Sequence, residues 1–393
     1  MNVKVGTWTG AVLLVGMMAS LSSAQVTPAA GYTPPDDTPS IKVGVTLFPM
    51  FNLQSDPKVT DGNGNAVSRN TFDVGRAYIN VTGNVSHLVS FRLTPDITRQ
   101  SGLLSLGAGN SVANDSLVYR IKYAYGQFGL DDWMTKGSWV RLGIQQTPWV
   151  DYDEGIYRYR FQGTVFAERV PLPTAMSSSD AGVSFHYNLP SNFGDVHVGL
   201  YNGENYSRVE VNNQKSFQFR GTLRPFARNA PVLRGLRVHV VDYADHYVGN
   251  ATRTRFMTNV TYEHKFLNAE VDYLRAKDQS LASAAIVESQ GWAFWATPKL
   301  PMKNGASLEG LIRYDHWTPN TGSALAPAGT AALPGTTLLS DQHQNRAIVG
   351  GAYWFPHEGN VSTALLLDWD AQKLVSLSTK PTKVLSVHGL ITF

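Results

Sequence analysis

The sequence lacks cysteine, has few charged residues and, after its first two dozen residues, has no long hydrophobic run. The absence of cysteine among 393 residues excludes disulfide frameworks, thiol nucleophiles and cysteine-ligated metals. Charged residues make up 16% of the chain and hydrophobic residues 43%, with a mean hydropathy of -0.17. A helix needs about 18 or more consecutive apolar residues to cross a bilayer. Any membrane crossing here must therefore use a closed β-barrel, because only helices and barrels satisfy every backbone polar group in lipid.

One sign of charge hardly exceeds the other. The formal net charge is +3, and without Lys4, which lies in the predicted leader, 32 basic residues remain against 30 acidic ones. Nucleic-acid binding requires a clear basic excess, so this composition gives it no support.

The amino-terminal segment has the three zones of a cleavable secretory signal. These are a charged start at Lys4, an apolar stretch from 11 to 19, and small residues up to Ala24. An anchoring helix is the alternative, but the apolar run is too short to span a membrane. We predict three segments: a signal peptide at 1–24, a Pro-rich periplasmic linker at 25–40, and an outer-membrane β-barrel at 41–393.

From Ile41 onward the chain divides into segments of alternating polarity whose length suits a tilted membrane-crossing strand. In the third segment, for example, Leu93 lies on one face and Arg92 and Thr94 lie on the other. We predict an all-β fold, a sixteen-stranded antiparallel transmembrane barrel. Its strands are 41–53, 70–83, 86–98, 116–129, 137–147, 178–189, 193–202, 215–226, 234–246, 254–264, 266–278, 288–299, 305–317, 343–355, 360–372 and 381–393.

A soluble β-sandwich would show the same alternation, but the connections favour the barrel. Long connections follow Leu53, Thr98, Thr147 and Trp317, whereas most of the intervening connections are short. Outer-membrane barrels have long outer loops and short periplasmic turns, and a sandwich has no reason to keep that order.

Aromatic residues near strand ends predict interfacial girdles at the level of the lipid headgroups. The predicted girdle residues are Tyr123, Tyr125, Trp139, Trp292, Trp295, Tyr353, Trp354 and Phe355. The last strand ends on Phe393, and this ending resembles the assembly signal of bacterial outer-membrane proteins. It predicts a role for Phe393 in assembly and the barrel-assembly machinery as a partner.

Four short segments together resemble the phosphate-selective porin O and P family. They are Gly75–Gly83 in the second strand, Ser179–Val183, Val198–Glu204 and Arg224–Phe226. The resemblance spans about 41–393 and implies a homotrimeric barrel whose third external loop, here Pro148 to Met176, folds inward. Phosphate-selective members carry lysines at the constriction, but this loop has none.

The polar face of each strand supplies the predicted pore-lining charges. The basic residues are Arg76, Arg92, Arg120, Lys122, Arg141, Arg220, Arg224, Arg237, Arg255 and Arg313. The acidic residues are Asp96, Glu263, Glu270, Asp272, Glu309, Asp315, Asp368 and Asp370. Most bases lie in strands two to nine and most acids in strands ten to fifteen. This order predicts either two opposed arcs with a transverse field across the pore or charges that pair within a wet lumen.

The third loop supplies the predicted constriction residues, whose aromatic rings and guanidinium groups could guide anions or sugars or could pack the loop on the wall. They are Asp151, Asp153, Glu154, Tyr157, Arg158, Arg160, Glu168 and Arg169.

These observations predict a porin for passive diffusion of small hydrophilic solutes and ions, with at most a weak anion preference. Its expected partners are outer-membrane lipid, two further copies of the chain, and small polar solutes or inorganic anions. A phosphate-selective or anion-selective porin is the alternative. An outer-membrane hydrolase is less expected because no Gly-x-Ser-x-Gly motif occurs. We expect no enzyme activity, no cofactor, no metal and no nucleic-acid partner.

Overall fold

The computed structural model describes residues 37–393 except 101–102, 108–109, 114–115, 172–173, 229–230, 247, 322–342, 358, 360 and 375–379. The predicted signal peptide and most of the predicted linker lie outside these residues. The described chain forms a closed antiparallel barrel of sixteen strands. The strands are β1 Ser40–Thr60, β2 Ala66–Asn84, β3 Val89–Arg99, β4 Leu117–Gly129, β5 Trp139–Gln146, β6 Ser179–Asn188, β7 Gly194–Tyr201, β8 Ser216–Leu223, β9 Leu236–Asp245, β10 Arg253–His264, β11 Leu267–Asp278, β12 Val287–Pro301, β13 Ser307–Thr318, β14 Gln344–Trp354, β15 Ser362–Leu374 and β16 Thr382–Thr392.

Each strand pairs with its neighbour in the sequence, and β1 pairs with β16 to close the barrel. At this seam Met50 lies opposite His388 and Leu53 lies opposite Leu385. Closure leaves no strand edge unpaired, which a spanning sheet in lipid requires. All sixteen predicted strands are present, so the predicted fold is confirmed.

The long connection predicted after Leu53 is wrong. Strands β1 and β2 continue past that point, and only residues 61–65 connect them. The reason is local: Asp61 accepts hydrogen bonds from the backbone N–H groups of Asn63 and Asn65, at 2.9 and 2.8 Å. This Asx-type turn reverses the chain tightly, so the flanking residues remain in strand conformation.

The two ends of the barrel carry connections of different length. At one end, here called the loop end, the longest connections run over 100–116, 147–178, 202–215 and 319–343. The other end, here called the turn end, carries connections as short as 265–266 and none longer than 224–235. A separate hairpin, Leu103–Gly107 and Asn110–Ala113, lies in the 100–116 loop. Among the described residues, no helix has both the length and the hydrophobicity needed to cross a membrane.

The strands alternate between an apolar outer face and an inner face that carries the buried polar side chains together with a cluster of buried apolar ones. In β8, the side chains of Gln218 and Arg220 are buried, whereas Phe217 and Leu223 are exposed. In β4, both Lys122 and Tyr123 are buried because the register with β3 shifts by one residue there. Such a bulge turns two consecutive side chains to the same side of the sheet.

The predicted aromatic girdle is wrong for most of its members. Trp292 and Phe355 are exposed, as a girdle requires, and Tyr353 is half-buried on the same outer face. The remaining rings are buried on the inner face, where three of them contact the loop that enters the barrel and the other two pack on Arg141 of the wall. They are Tyr123, Tyr125, Trp139, Trp295 and Trp354.

His87 connects three segments at the turn end. It lies between β2 and β3, and its ring nitrogens contact Asp37, which precedes β1, at 2.6 Å and Asp132, in the β4–β5 turn, at 3.2 Å. The backbone N–H of His87 also donates to Asp37 at 3.0 Å. This cluster ties the start of the first strand to two neighbouring turns.

We expect the pKa of His87 to lie above its ordinary value, since the hydrogen bonds with Asp37 and Asp132 favour the charged ring. The hydrogen bond with His87 lowers the pKa of Asp37. The ion pair between the charged His87 ring and the Asp37 carboxylate is therefore fully formed at pH values between these two pKa values. It is lost when the pH rises through the pKa of His87 or falls through the pKa of Asp37. NMR titration of the His87 ring would measure this. Asp37→Asn should shift its pKa downward, and a wild-type ring that titrates below about 6.5 would contradict the prediction.

Candidate pore lumen and its constriction loop

The connection between β5 and β6, here called the lumen loop, comprises residues 147–178. Its base is closed by the backbone N–H of Thr147, which donates to the Ser178 carbonyl at 3.1 Å, and by the Thr147 hydroxyl, which donates to the Ser177 carbonyl at 2.5 Å. Within the loop are two helices, α1 Val150–Tyr157 and α2 Phe166–Arg169. The loop therefore leaves the wall and returns to it at one place.

The first part of the lumen loop packs on strands β8 and β9. The fully buried ring of Trp149 lies 5.2 Å from the ring of His239, measured between centroids. The guanidinium of Arg220 lies 3.8 Å from the ring centroid of Tyr152. A cation–π contact of this kind contributes about 0.5–2 kcal/mol, the upper value applying where water is excluded.

The middle of the lumen loop packs on strands β12 to β14. The ring of Tyr157 meets Trp295 edge to face at 5.2 Å, and Tyr159 meets Trp354 in the same way at 5.8 Å. The Tyr159 hydroxyl also donates to the Glu309 carboxylate at 3.0 Å. These buried rings fix the loop against the inner wall by apolar burial and directed contacts together.

Contacts with β13 show that the lumen loop crosses the whole interior. Strand β13 is eight strands from β5 in a barrel of sixteen and so lies opposite it. There the guanidinium of Arg313 donates to the Thr164 carbonyl of the loop at 2.8 Å and to both oxygens of Asp315 at 2.7 and 2.8 Å. The inward fold predicted for the third loop matches this arrangement.

Glu154 of α1 is the centre of the charged contacts between the loop and β4. Lys122 of β4 lies 3.9 Å from its carboxylate, and Arg160 of the loop forms a closer ion pair with it. Arg160 also contacts Glu168 at 3.3 Å. All four side chains are at most 16% exposed. Removing one partner from such a buried network costs more than the network contributes as a whole, because a charge is left uncompensated.

Asp151 extends this contact region toward β3. Its carboxylate accepts a 2.5 Å hydrogen bond from the Tyr123 hydroxyl, and the guanidinium of Arg92 lies 4.4 Å from the centre of the Tyr123 ring. Arg92 also donates to Thr94 and Asn80 at 3.0 Å.

Two arginines of the wall flank one buried acid. Arg76 of β2 and Arg120 of β4 lie 3.4 and 3.7 Å from the carboxylate of Asp96 on β3. Their side chains are 22% and 26% exposed, whereas Asp96 is fully buried. This triplet carries a net positive charge, and its two arginines are more accessible than the other strand arginines of the predicted basic set whose exposure is given by their ion pairs, Arg220, Arg237, Arg255 and Arg313.

Arg141 is the least accessible of the predicted basic residues. Its guanidinium lies 3.7 Å from the Trp139 ring centroid and donates to Gln127 and Gln146 at 2.8 and 2.9 Å. Because the side chain is fully buried, it supports the wall rather than facing solvent.

Most remaining wall charges form local ion pairs, so the transverse field expected from separated arcs is largely cancelled where the pairs lie. The pairs within the wall are Arg220–Asp195, Arg237–Glu263, Arg255–Asp278, Arg313–Asp315 and Arg346–Asp370, and Arg158 and Arg169 of the lumen loop pair with Glu309 and Asp315. The carboxylate of Asp368 lies 3.0 Å from the ring of His388. The structure thus favours the second of the two arrangements that the sequence left open.

Arg224 does not lie in a strand. It follows β8 in a turn, where it donates to Asn192 at 2.6 Å. The charged wall residues that were missed from the sequence include Asp195, Lys299, Arg346 and Asp278. Strict alternation of inner and outer side chains along residues 195–201 and 297–300 would have assigned Asp195 and Lys299 to the inner face. Arg346 lies in β14, where both faces contain small and apolar residues, so polarity does not distinguish the faces there.

A polar cavity of about 320 Å³ lies between the lumen loop and the wall formed by β1, β2 and β14–β16. Gln162 is its loop residue. Its charged lining residues are Arg69 and Arg346 against Asp73 and Asp370, which cancel formally. The lining of the cavity therefore has no strong preference for one sign of charge.

Comparisons with solved structures show the fold of bacterial outer-membrane porins. OmpF of Salmonella typhi, solved with daunomycin, aligns at 11% identity and a TM-score of 0.56 over 91% of this chain and 98% of that one. An anion-selective porin of Comamonas acidovorans aligns at 10% identity and 0.53, over 91% and 100%. OmpT of Vibrio cholerae in a trimer form aligns at 11% and 0.51, over 91% and 100%. No model of a known protein family matches the sequence, and no curated protein matches it.

Proposed function

We propose that this chain is a porin of a bacterial outer membrane, open to passive diffusion of small hydrophilic solutes and ions. The observation that carries the proposal is a closed barrel with an apolar outside, crossed by a loop that leaves a polar cavity beside it. The apolar outer face contacts lipid, and the polar wall keeps the lumen hydrated. The loop end faces outward, and the lumen loop sets the size limit of the pore.

Selectivity is weak because most of the charges are paired. Binding a desolvated phosphate requires several donors that converge on one point. The lumen loop has no lysine, and its arginines Arg158, Arg160 and Arg169 each form an ion pair with a carboxylate. The resemblance to phosphate-selective porins therefore supports the pore architecture more than the substrate.

Planar-bilayer recording with reversal potentials in asymmetric salt tests this function. Small ions should pass in proportion to their mobility, with a slight excess of anion current. Phosphate added to chloride solutions should not block the chloride current. A current that saturates at low phosphate concentration would instead establish the phosphate-selective alternative.

The accessible arginines of the wall should supply the remaining anion preference. Neutralising the predicted set Arg76, Arg92, Arg120 and Arg141 should shift selectivity toward cations, but Arg92 and Arg141 are buried in packing contacts. The double variant Arg76→Gln with Arg120→Gln is therefore the better test.

A third substitution, Asp96→Asn, gives a variant whose wall charge is intermediate. Adding Asp96→Asn removes the buried acid that the double variant leaves uncompensated, so its reversal potential should lie between those of the wild type and the double variant. Arg275→Gln is the matched control, because Arg275 pairs with Glu288 on the outer face and is 52% exposed. Equal shifts from Arg275→Gln and the double variant would contradict a role for the wall arginines.

We further propose that the barrel assembles as a homotrimer through the barrel-assembly machinery. The trimer form of the similar Vibrio cholerae protein supports the first part, and the terminal Phe393 supports the second. Mass measurement of the detergent-solubilised, unheated protein would give the number of copies.

A further inference from the structure

Three buried carboxylates meet where helix α1 of the lumen loop contacts strand β11. Asp153 comes from the loop, and Glu270 and Asp272 come from the strand. Each is at most 2% exposed, and one ligand atom from each lies within 4.8 Å of the others. Within the described part of the chain, no cationic side chain lies within ion-pair distance of any of the three. Like charges at this distance repel strongly, so this junction requires a positive charge or bound protons.

The hydrogen bonds around the cluster orient the strand carboxylates. The Trp295 indole N–H donates to Oε2 of Glu270 at 3.0 Å, and the Asn259 amide donates to Oδ1 of Asp272. Oε1 of Glu270 and Oδ2 of Asp272 have no partner among the described residues. Each strand carboxylate is thus held by one oxygen and presents the other, which is how outer hydrogen bonds position metal ligands.

Asp153 and Asn259 contribute three more oxygen atoms without a hydrogen-bond partner, which makes five with those of Glu270 and Asp272. Both oxygens of Asp153, which is 1% exposed, have no partner in the part of the chain that the structure describes. Asn259 lies on β10, and its side-chain amide N–H donates to Asp272. Its Oδ1 atom is buried and has no partner among the described residues. A neutral amide oxygen gains nothing from protonating the acids, but it is a good ligand for a hard cation.

The guanidinium of Arg313 acts electrostatically on the cluster but already has other partners. Arg313 faces the same region from β13, but its donors bind Asp315 and the Thr164 carbonyl at 2.7–2.8 Å. It reduces the negative potential of the cluster without occupying its centre.

We propose that Asp153, Glu270, Asp272 and Asn259 bind one divalent cation of the Ca²⁺ type. Two oxygens that each lie about 2.4 Å from a common ion are at most about 4.8 Å apart, as the cluster requires. Five oxygens from one bidentate and three monodentate side chains suit Ca²⁺, which takes 6–8 ligands in flexible geometry, better than octahedral Mg²⁺. The ion joins α1 of the lumen loop to β10 and β11, and it thereby fixes the loop across the pore.

Terbium luminescence tests the site, since Tb³⁺ replaces Ca²⁺ and is sensitised by a nearby indole. Trp295 contacts Glu270 directly and supplies that indole. We expect the full-length, folded protein, treated with chelator in detergent, to give saturable luminescence that Ca²⁺ displaces at least tenfold more effectively than Mg²⁺. Asp153→Asn and Glu270→Gln should each weaken Tb³⁺ binding at least tenfold. Trp295→Phe should remove the luminescence and weaken, without abolishing, the binding of radioactive Ca²⁺, because it also removes the hydrogen bond that positions Glu270.

Asp180→Asn is the matched control, because Asp180 is a buried carboxylate that binds the backbone N–H groups of Gly203 and Ala181 away from the cluster. It should bind Tb³⁺ as the wild type does.

Ca²⁺ should also raise the unfolding temperature of the wild type and not that of Asp153→Asn. A wild-type protein with neither saturable luminescence nor a Ca²⁺-dependent unfolding temperature overturns the proposal and assigns shared protons to the cluster. These readouts do not involve conductance, so they are independent of the porin function.

Discussion

Replacing residues 149–176 with a short Gly-Asn-Gly connector should increase the single-channel conductance several-fold. The lumen loop crosses from β5 to the opposite strand β13, so its removal opens the section of the pore that it occupies. The hydrogen bonds of Thr147 with Ser177 and Ser178 close the base of the loop, and they should keep β5 and β6 in register without it. Selectivity should change less than conductance, because the loop has four acidic residues against three arginines.

The hairpin loop between β3 and β4 provides the matched control. Its base is closed in the same way, by the backbone N–H of Gln100 to the Ser116 carbonyl at 2.9 Å, and its small sheet is separate from the barrel. Shortening this loop to a similar connector should leave the conductance unchanged. The constriction assignment would be wrong if both deletions changed the conductance equally, or if folded lumen-loop deletions conducted as the wild type does.

Deletion of Phe393 should strongly reduce the amount of folded, membrane-inserted barrel. The backbone of Phe393 exchanges two hydrogen bonds with Val45, at 3.0 and 3.1 Å, and thereby continues the pairing of β1 with β16. Its ring is 59% exposed on the outer face. The deletion removes the last bonds of the closing seam together with the terminal aromatic ring, and backbone groups left unpaired at a membrane cost several kcal/mol each.

Two substitutions separate these effects. Phe393→Ala keeps the backbone bonds and removes the ring, so it tests the assembly signal alone. Gly44→Val should disrupt the pairing of β1 with β16 and leave the ring of Phe393 in place. Even the Cβ atom of the new side chain would lie 2.7 Å from the Phe393 carbonyl oxygen, which is too close. Heat-modifiable migration on a gel and outer-membrane fractionation measure the folded amount. Wild-type amounts from the deletion variant would contradict a role of Phe393 in closure and in assembly alike.

The strands and their inner faces were predictable because a period of two is a local property of the sequence. Asp96, Arg220 and Glu309 all lie on the inner face that alternation assigns to them. The alternation fails at bulges, as at Lys122 and Tyr123, because one extra residue changes the face of those that follow. The sequence near a bulge does not reveal which residue is the extra one.

The contacts of the lumen loop were not predictable in the same way. A ring near a strand end has the same local sequence whether it faces lipid or a loop from a distant part of the chain. Trp295 and Trp354 are buried because Tyr157 and Tyr159, far away in sequence, cover them. The pairing of Arg346 with Asp370 and the meeting of Asp153 with β11 likewise depend on strand register and loop path.

The closed base of the lumen loop has a consequence for how such proteins can diverge. Because Thr147 and Ser178 are joined independently of what lies between them, the intervening segment is an insertion that the wall does not need for its register. Residues there can be gained, lost or exchanged while the sixteen paired strands remain unchanged. The dimensions of the lumen can therefore change in evolution without a change in the strand register of the scaffold.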